Sequence, residues 1–210
     1  MNSHIWFLSI PIGAFVLLPL FKKWWQRARD DRIGQRAESQ GWTVTRNPEL
    51  IEWCSQLPGS HYRGVSQIMS RTENGWPVSV AEYSYYDGSG EGETKRHYVV
   101  THVRLTSSYP PVAVERRGGI SRVGRAVFGD NAASTGNEDF DRQFRVKTDD
   151  PAGHALVGPA LIAEQFAGRI PTWSLAGPDL VTWQKGKLGD LSRIQPVIDG
   201  LIRVAGLIGH

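Results

Sequence analysis

An uncharged apolar run from Ile5 to Phe21 opens this chain and limits what the remainder can be. As a helix, its 17 residues extend roughly 25 Å at about 1.5 Å per residue. A hydrocarbon core of about 30 Å takes roughly 20 residues, with a lower limit near 17, so the run reads as a short membrane span. Lys22 and Lys23 follow at once and can snorkel their ammonium groups outward. Trp24 and Trp25 stand where an aromatic belt belongs, and Trp6 suits the opposite belt. Pro11 and Pro19 are tolerable in a span, where neighbouring groups satisfy the freed carbonyls.

Two other readings fit less well. A secretory signal carries its positive charge before the apolar core and a small-x-small cleavage site after it. Here Met1 to His4 hold no Lys or Arg, and no such triplet follows Phe21. A buried core helix would be amphipathic or shorter, and would not run into Lys-Lys-Trp-Trp. The sequence therefore divides into a transmembrane anchor over 1–23, a basic juxtamembrane helix over 24–40 that stops at Gly41, and a domain over 41–210.

Charge sets the orientation. Residues 22–36 carry Lys22, Lys23, Arg27, Arg29, Arg32 and Arg36 against Asp30 and Asp31, a net +4. Loops rich in Lys and Arg remain cytoplasmic, so the N-terminus is expected outside the inner (plasma) membrane and the domain inside. The whole chain is +3, which leaves −1 for residues 37–210. That balance makes nucleic acid an improbable partner, because such a domain carries its positive charge on the folded part. The single cysteine, Cys54, excludes an internal disulfide and any paired-Cys zinc or redox motif. Within ELIEWCSQL it reads as a buried, inert thiol.

The domain reads as α+β: an antiparallel sheet packed against two or three helices. WTVTR (42–46) is a short strand, and Pro48 opens a helix through PELIEWCSQL. VSQIMSRT (65–72), VSVAEYSYY (78–86) and TKRHYVVTHVRL (94–105) are rich in Val, Tyr, Thr and Ile and are separated by Gly and Asn turns, the pattern of a meander. Tyr109-Pro110-Pro111 interrupts it before a further strand, VAVERR (112–117). A Gly-rich middle stretch offers a short helix around Ser121 to Phe128, and separates candidate lobes at 41–116 and 138–210. A helix over Pro151 to Ala167 follows, then a hairpin of TWSL and DLVTWQKG about Ala176-Gly177-Pro178. The final helix, Asp190 to about Ile208, places Leu191, Ile194, Val197, Ile198, Leu201, Ile202, Ala205 and Ile208 along one face.

The segment FDRQFRVKTDDPAGHALVGPALIAEQF, with WSLAGPDLVTWQKGKL and the last helix, resembles a group of bacterial, mainly actinobacterial, single-pass membrane proteins of unknown function. The matching positions are Phe140, Phe144, Val146, Asp149, Ala155, Pro159 and Leu180. The resemblance covers mainly residues 138–210. It implies the anchor-then-domain layout, core roles for Phe140, Phe144 and Val146, and a cap or turn role for Asp149 before Pro151. It implies no catalytic residue.

The residues carry no recognisable reactive constellation, and no catalytic, cofactor-binding or metal-ligating residue is assigned. DGSGEGE (87–93) lacks calcium-loop spacing and leads into a strand instead of a helix, so a hairpin tip is expected. His97 and His102 lie five apart on one strand and face opposite sides. Ser60 beside His61 is mere adjacency, not triad geometry. The positions expected to meet a membrane interface are Lys22, Lys23, Trp24, Trp25, Arg27 and Arg29. A second basic cluster, Arg116, Arg117, Arg122 and Arg125, is an exposed face or a candidate anion contact. The expected function is a non-enzymatic, membrane-anchored module that binds a protein partner, a second copy of itself or the membrane surface. The alternatives are an enzyme whose site is assembled from scattered residues and a membrane-tethered nucleic-acid binder.

Overall fold

The structure, a computed structural model, describes residues 13–59, 64–88, 93–118, 128 and 132–209, with side chains described from Trp24 onward except at residues 26 and 27. Residues 1–12 of the expected anchor (1–23) lie outside the described residues, as do the side chains of 13–23. Among the described residues no helix is long and apolar enough to cross a membrane.

Helix α1, Gly13–Ser39, runs through Pro19 into the basic segment without a break. Its end matches the sequence reading. Gly41 adopts φ +82°, and the N–H groups of Gly41 and Trp42 cap the carbonyls of Glu38 and Ala37. The last turns of α1 are not a free stalk: Ala37 and Trp42 are buried in the main core, with Ile33 and Val44 against them.

The sheet comprises β1 (Thr43–Arg46), β2 (Val65–Glu73), β3 (Trp76–Asp87), β4 (Thr94–Arg116), β5 (Ala132–Ala133), β6 (Phe144–Lys147) and β7 (Trp173–Lys185). Its order is β1-β2-β3-β4-β6-β5, with β7 on β4, and every pairing is antiparallel. The two candidate lobes thus contribute to one sheet. Helices α2 (Glu138–Gln143), α3 (Pro151–Ala155), α4 (Pro159–Phe166) and α5 (Gln195–Ile208) complete the described fold, with short 3-10 segments at Glu52–Gln56 and Leu191–Arg193.

Strand alternation splits the interior. Val78, Val80, Val103 and Leu105 face the larger core, which α5 closes with Ile198, Leu201, Val204 and Ala205. Ala81, Tyr83, Tyr98 and Val100 face a second core, closed by Trp53, Cys54 and Leu57 of the 3-10 segment. Phe140 and Phe144 stack at 5.0 Å, Phe166 meets both edge-on, and Val146 is fully buried.

Four local expectations need correction. The helix from Pro48 shortens to Glu52–Gln56, because Asn47 and the extended Ile51 turn the chain before it. The helix over 151–167 is two, broken at Gly158, whose successor Pro159 can start a helix but not continue one. The cap before Pro151 is Asp150, not Asp149: its carboxylate accepts the N–H of Ala152 at 2.8 Å. The hairpin at 176–178 does not exist. β7 continues through Gly177 while β4 continues through Pro110 and Pro111, and Tyr109 pairs with Gly177 at a shared register shift. Gly177, at φ +62°, is a bulge residue in a long strand, and the prolines opposite it stand where a ladder tolerates a missing N–H. The short helix expected at 121–128 lies outside the described residues except for Phe128, which is buried against Ala113.

Candidate functional site

The long β4–β7 pairing brings together residues far apart in sequence. His102 sits opposite Val181, and Arg104 opposite Asp179. The His102 Nε2 and Asp179 Oδ1 atoms are 2.9 Å apart, and both side chains are more than nine-tenths buried. Facing a carboxylate, Nε2 is the donor of this hydrogen bond. Nδ1 is enclosed and has no hydrogen-bond partner among the described residues. Trp53 stacks on the imidazole with ring centroids 5.7 Å apart and 23° between planes. Gln56 holds the same strand from below: its Nε2 donates to the Asp179 carbonyl at 2.9 Å, and its Oε1 accepts from Ser174 Oγ at 2.8 Å. The 3-10 segment, which supplies both Trp53 and Gln56, is the brace that fixes this floor.

Above the floor opens a cleft of about 470 Å³. Leu50, Ile51, Ile68 and Pro77 give it apolar walls, and Ser70 and Ser79 share a hydroxyl hydrogen bond of 2.9 Å on its side. Leu50 is 69% exposed at the rim. Arg104 reaches over Asp179 at 3.6 Å while its side chain stays 59% exposed. For nucleophilic chemistry the second imidazole nitrogen would need a hydroxyl or thiol in bonding distance, and among the described residues Nδ1 has none. Burial pushes the Cys54 thiol up to about 12, so it stays protonated. Among the described residues, no three His, Cys, Asp or Glu side chains gather as a metal site.

On the opposite face of the sheet lies a second polar centre. Glu82, buried on β3, pairs with Arg29 of α1 and accepts the Leu188 N–H at 3.2 Å. His97 Nδ1 stands 3.7 Å away, and Lys95 and Lys187 line the same small cavity. Desolvation, then the charges of Lys187, Lys95 and Arg29, lower the pKa of His97 below its ordinary value. His97 and His102 do lie on opposite faces, as a period of two requires.

The expected interface residues are distributed unevenly. Trp24 and Trp25 are 62% and 54% exposed. The side chains of Lys22, Lys23 and Arg27 lie outside the described residues. Arg29 turns toward the domain to meet Glu82. Arg116 and Arg117 are exposed at the end of β4, where Arg117 donates to the carbonyls of Asp141 and Phe144; Arg122 and Arg125 lie outside the described residues. His61, Ser60 and the tip 89–92 also lie outside them. The His102–Asp179 pair was missed because 77 residues separate its members, and only the β4–β7 register joins them.

No family model matches the chain, and no curated protein matches it. Among solved structures, the crystal structure of the mycobacterial trehalose monomycolate transport factor A, TtfA, is similar with a TM-score of 0.55. The match has 9% sequence identity and covers 87% of this chain and 95% of that one, a likeness of fold.

Proposed function

We propose that this chain is a membrane-anchored, non-enzymatic module of the cell envelope that binds a protein partner in the cleft above His102 and Asp179. The cleft itself carries this reading: it is open, exposed Leu50 stands at its rim with the Arg104 guanidinium also lining it, and its floor is braced by Trp53 and Gln56. A partner segment presenting one apolar or aromatic anchor fits a cavity of this size and character. The apolar run and the Lys and Arg that follow it support a single-pass anchor, N-terminus outside, with the domain on the cytoplasmic side of the inner membrane. The resemblance through Phe140, Phe144 and Val146 supports the same layout. The similar fold of a protein described as a transport factor is consistent with a partner-binding role in the envelope.

The buried His102–Asp179 pair favours one second reading, an enzyme in which a bound substrate supplies the group that His102 lacks. Crosslinking separates the two. A photoreactive residue replaces Leu50 at the cleft rim in the full-length chain in its own membranes, and replaces Leu207 on α5 in a control. The binding module gives a discrete protein adduct from position 50 that Arg104→Glu weakens and position 207 does not form. The same adducts from both positions, or none from position 50, would overturn the proposal.

A further inference from the structure

Arg29, Arg32 and Arg36 follow one another at intervals of three and four on α1, and therefore share a helix face. The chain leaving β7 passes in front of that face as Leu188, Gly189 and Leu191. Between them lies a groove of about 320 Å³, with Ile33 in its wall. Its charges are unevenly satisfied. Arg29 is neutralised by Glu82 and Asp30. Arg32 donates Nε to the Ala28 carbonyl at 3.1 Å and meets no carboxylate among the described residues. Arg36 forms no ion pair with a described residue either. Its charge does reach Asp190, whose carboxylate is held low first by the Ser192 N–H and only to a lesser degree by Arg36. On the facing wall, nothing lies within 4 Å of the point where a Cβ on Gly189 would stand.

We propose that this groove is a binding site for a phosphate-bearing anion, either an anionic lipid headgroup or a free phosphate ester. Planar guanidinium groups bind phosphate oxygens in pairs, and two of them here form no ion pair among the described residues. Helical side chains lean toward the helix N-terminus, so these arginines lean toward the apolar run. Arg29 lies about 12 Å along the axis from Phe21. The lipid source rests on the anchored reading of residues 5–21, whereas the free phosphate source does not.

The alternative to a built site is diffuse attraction, to which every Lys and Arg near an anionic surface contributes alike. Filling the groove without changing charge distinguishes the two. Full-length chain in detergent micelles is probed by native mass spectrometry for retained phosphatidylglycerol against phosphatidylcholine, and by thermal shift with glycerol 3-phosphate. Three variants are compared: Gly189→Leu, which plugs the groove; Arg32→Gln with Arg36→Gln; and Lys22→Gln with Lys23→Gln, which removes the same charge closer to the membrane. The site predicts that the first two lower retention or shift about tenfold and the third much less. Retention of phosphatidylglycerol alone identifies the lipid as the source; a shift with glycerol 3-phosphate identifies the free ester. Equal losses in the two charge variants with Gly189→Leu unaffected, or no response to either probe, would overturn the proposal. If Gly189→Leu fails to fold, the contrast between the two charge variants still decides.

Discussion

Arg29 of α1 and Glu82 of β3 form an ion pair across 53 residues of chain. The same carboxylate accepts the Leu188 N–H, so one buried acid ties the first helix, the centre of the sheet and the segment after β7 together. The helix that leads out of the apolar run is thereby fastened to the domain instead of hanging from it.

Replacing Glu82 with Gln keeps the shape and removes the charge. Losing one partner of a fully buried pair costs roughly 3–5 kcal/mol, but the Arg29 side chain is 31% exposed and water offsets part of the loss. A loss of about 1–3 kcal/mol in urea unfolding is expected, together with faster amide exchange over residues 29–37. Native stability and unchanged exchange would show that the pair does not fasten α1.

His97 makes stability depend on pH. Its folded pKa is lowered, so the unfolded chain takes up the proton first as pH falls. The contribution is complete above the ordinary value of about 6.5 and is lost as pH falls through the window below it. Asp141, Glu164 and Asp190 also have lowered values, but they act in the more acidic carboxylate range. Between pH 7 and 5, melting of the native chain should therefore fall more steeply than that of His97→Gln. Parallel curves would remove His97 from the account.

Cys54 should resist alkylation in the folded protein at pH 8, since it is fully buried and its thiol is pushed up to about 12. Intact mass after iodoacetamide treatment should show no adduct until urea is added. Labelling at the rate of a free thiol would mean that the second core opens readily.

Leu201 is 0% exposed where α5 meets the sheet. Leu201→Ala should cost about 2–5 kcal/mol, and Leu201→Asp should abolish cooperative folding of a domain whose whole stability is about 5–15 kcal/mol. Cooperative melting of the Asp variant would show that α5 is not docked as described.

Most of the sheet is legible in the sequence because alternation is a local signal. The expected strands 65–72 and 78–86 lie within β2 and β3, and the face of α5 follows from its spacing. Punctuation misled where tertiary pairing overrode it. Pro110-Pro111 and Gly177-Pro178 each read as a break, yet they lie side by side in two strands that bulge together and continue. That misreading also concealed the site. With a hairpin at 176–178, the strand that Asp179 opens would pair with TWSL; in the unbroken β7 it pairs with β4 and Asp179 reaches His102. The Arg29–Glu82 pair was hidden for a different reason, since a basic segment after an apolar run gives no local sign that one of its charges turns inward.

The anchored, inward-facing arrangement is tested most directly by protease treatment of right-side-out spheroplasts that carry the full-length chain. The account predicts that the domain from Trp42 onward remains intact until the cells are lysed, and is then digested. Digestion of the domain before lysis would contradict it.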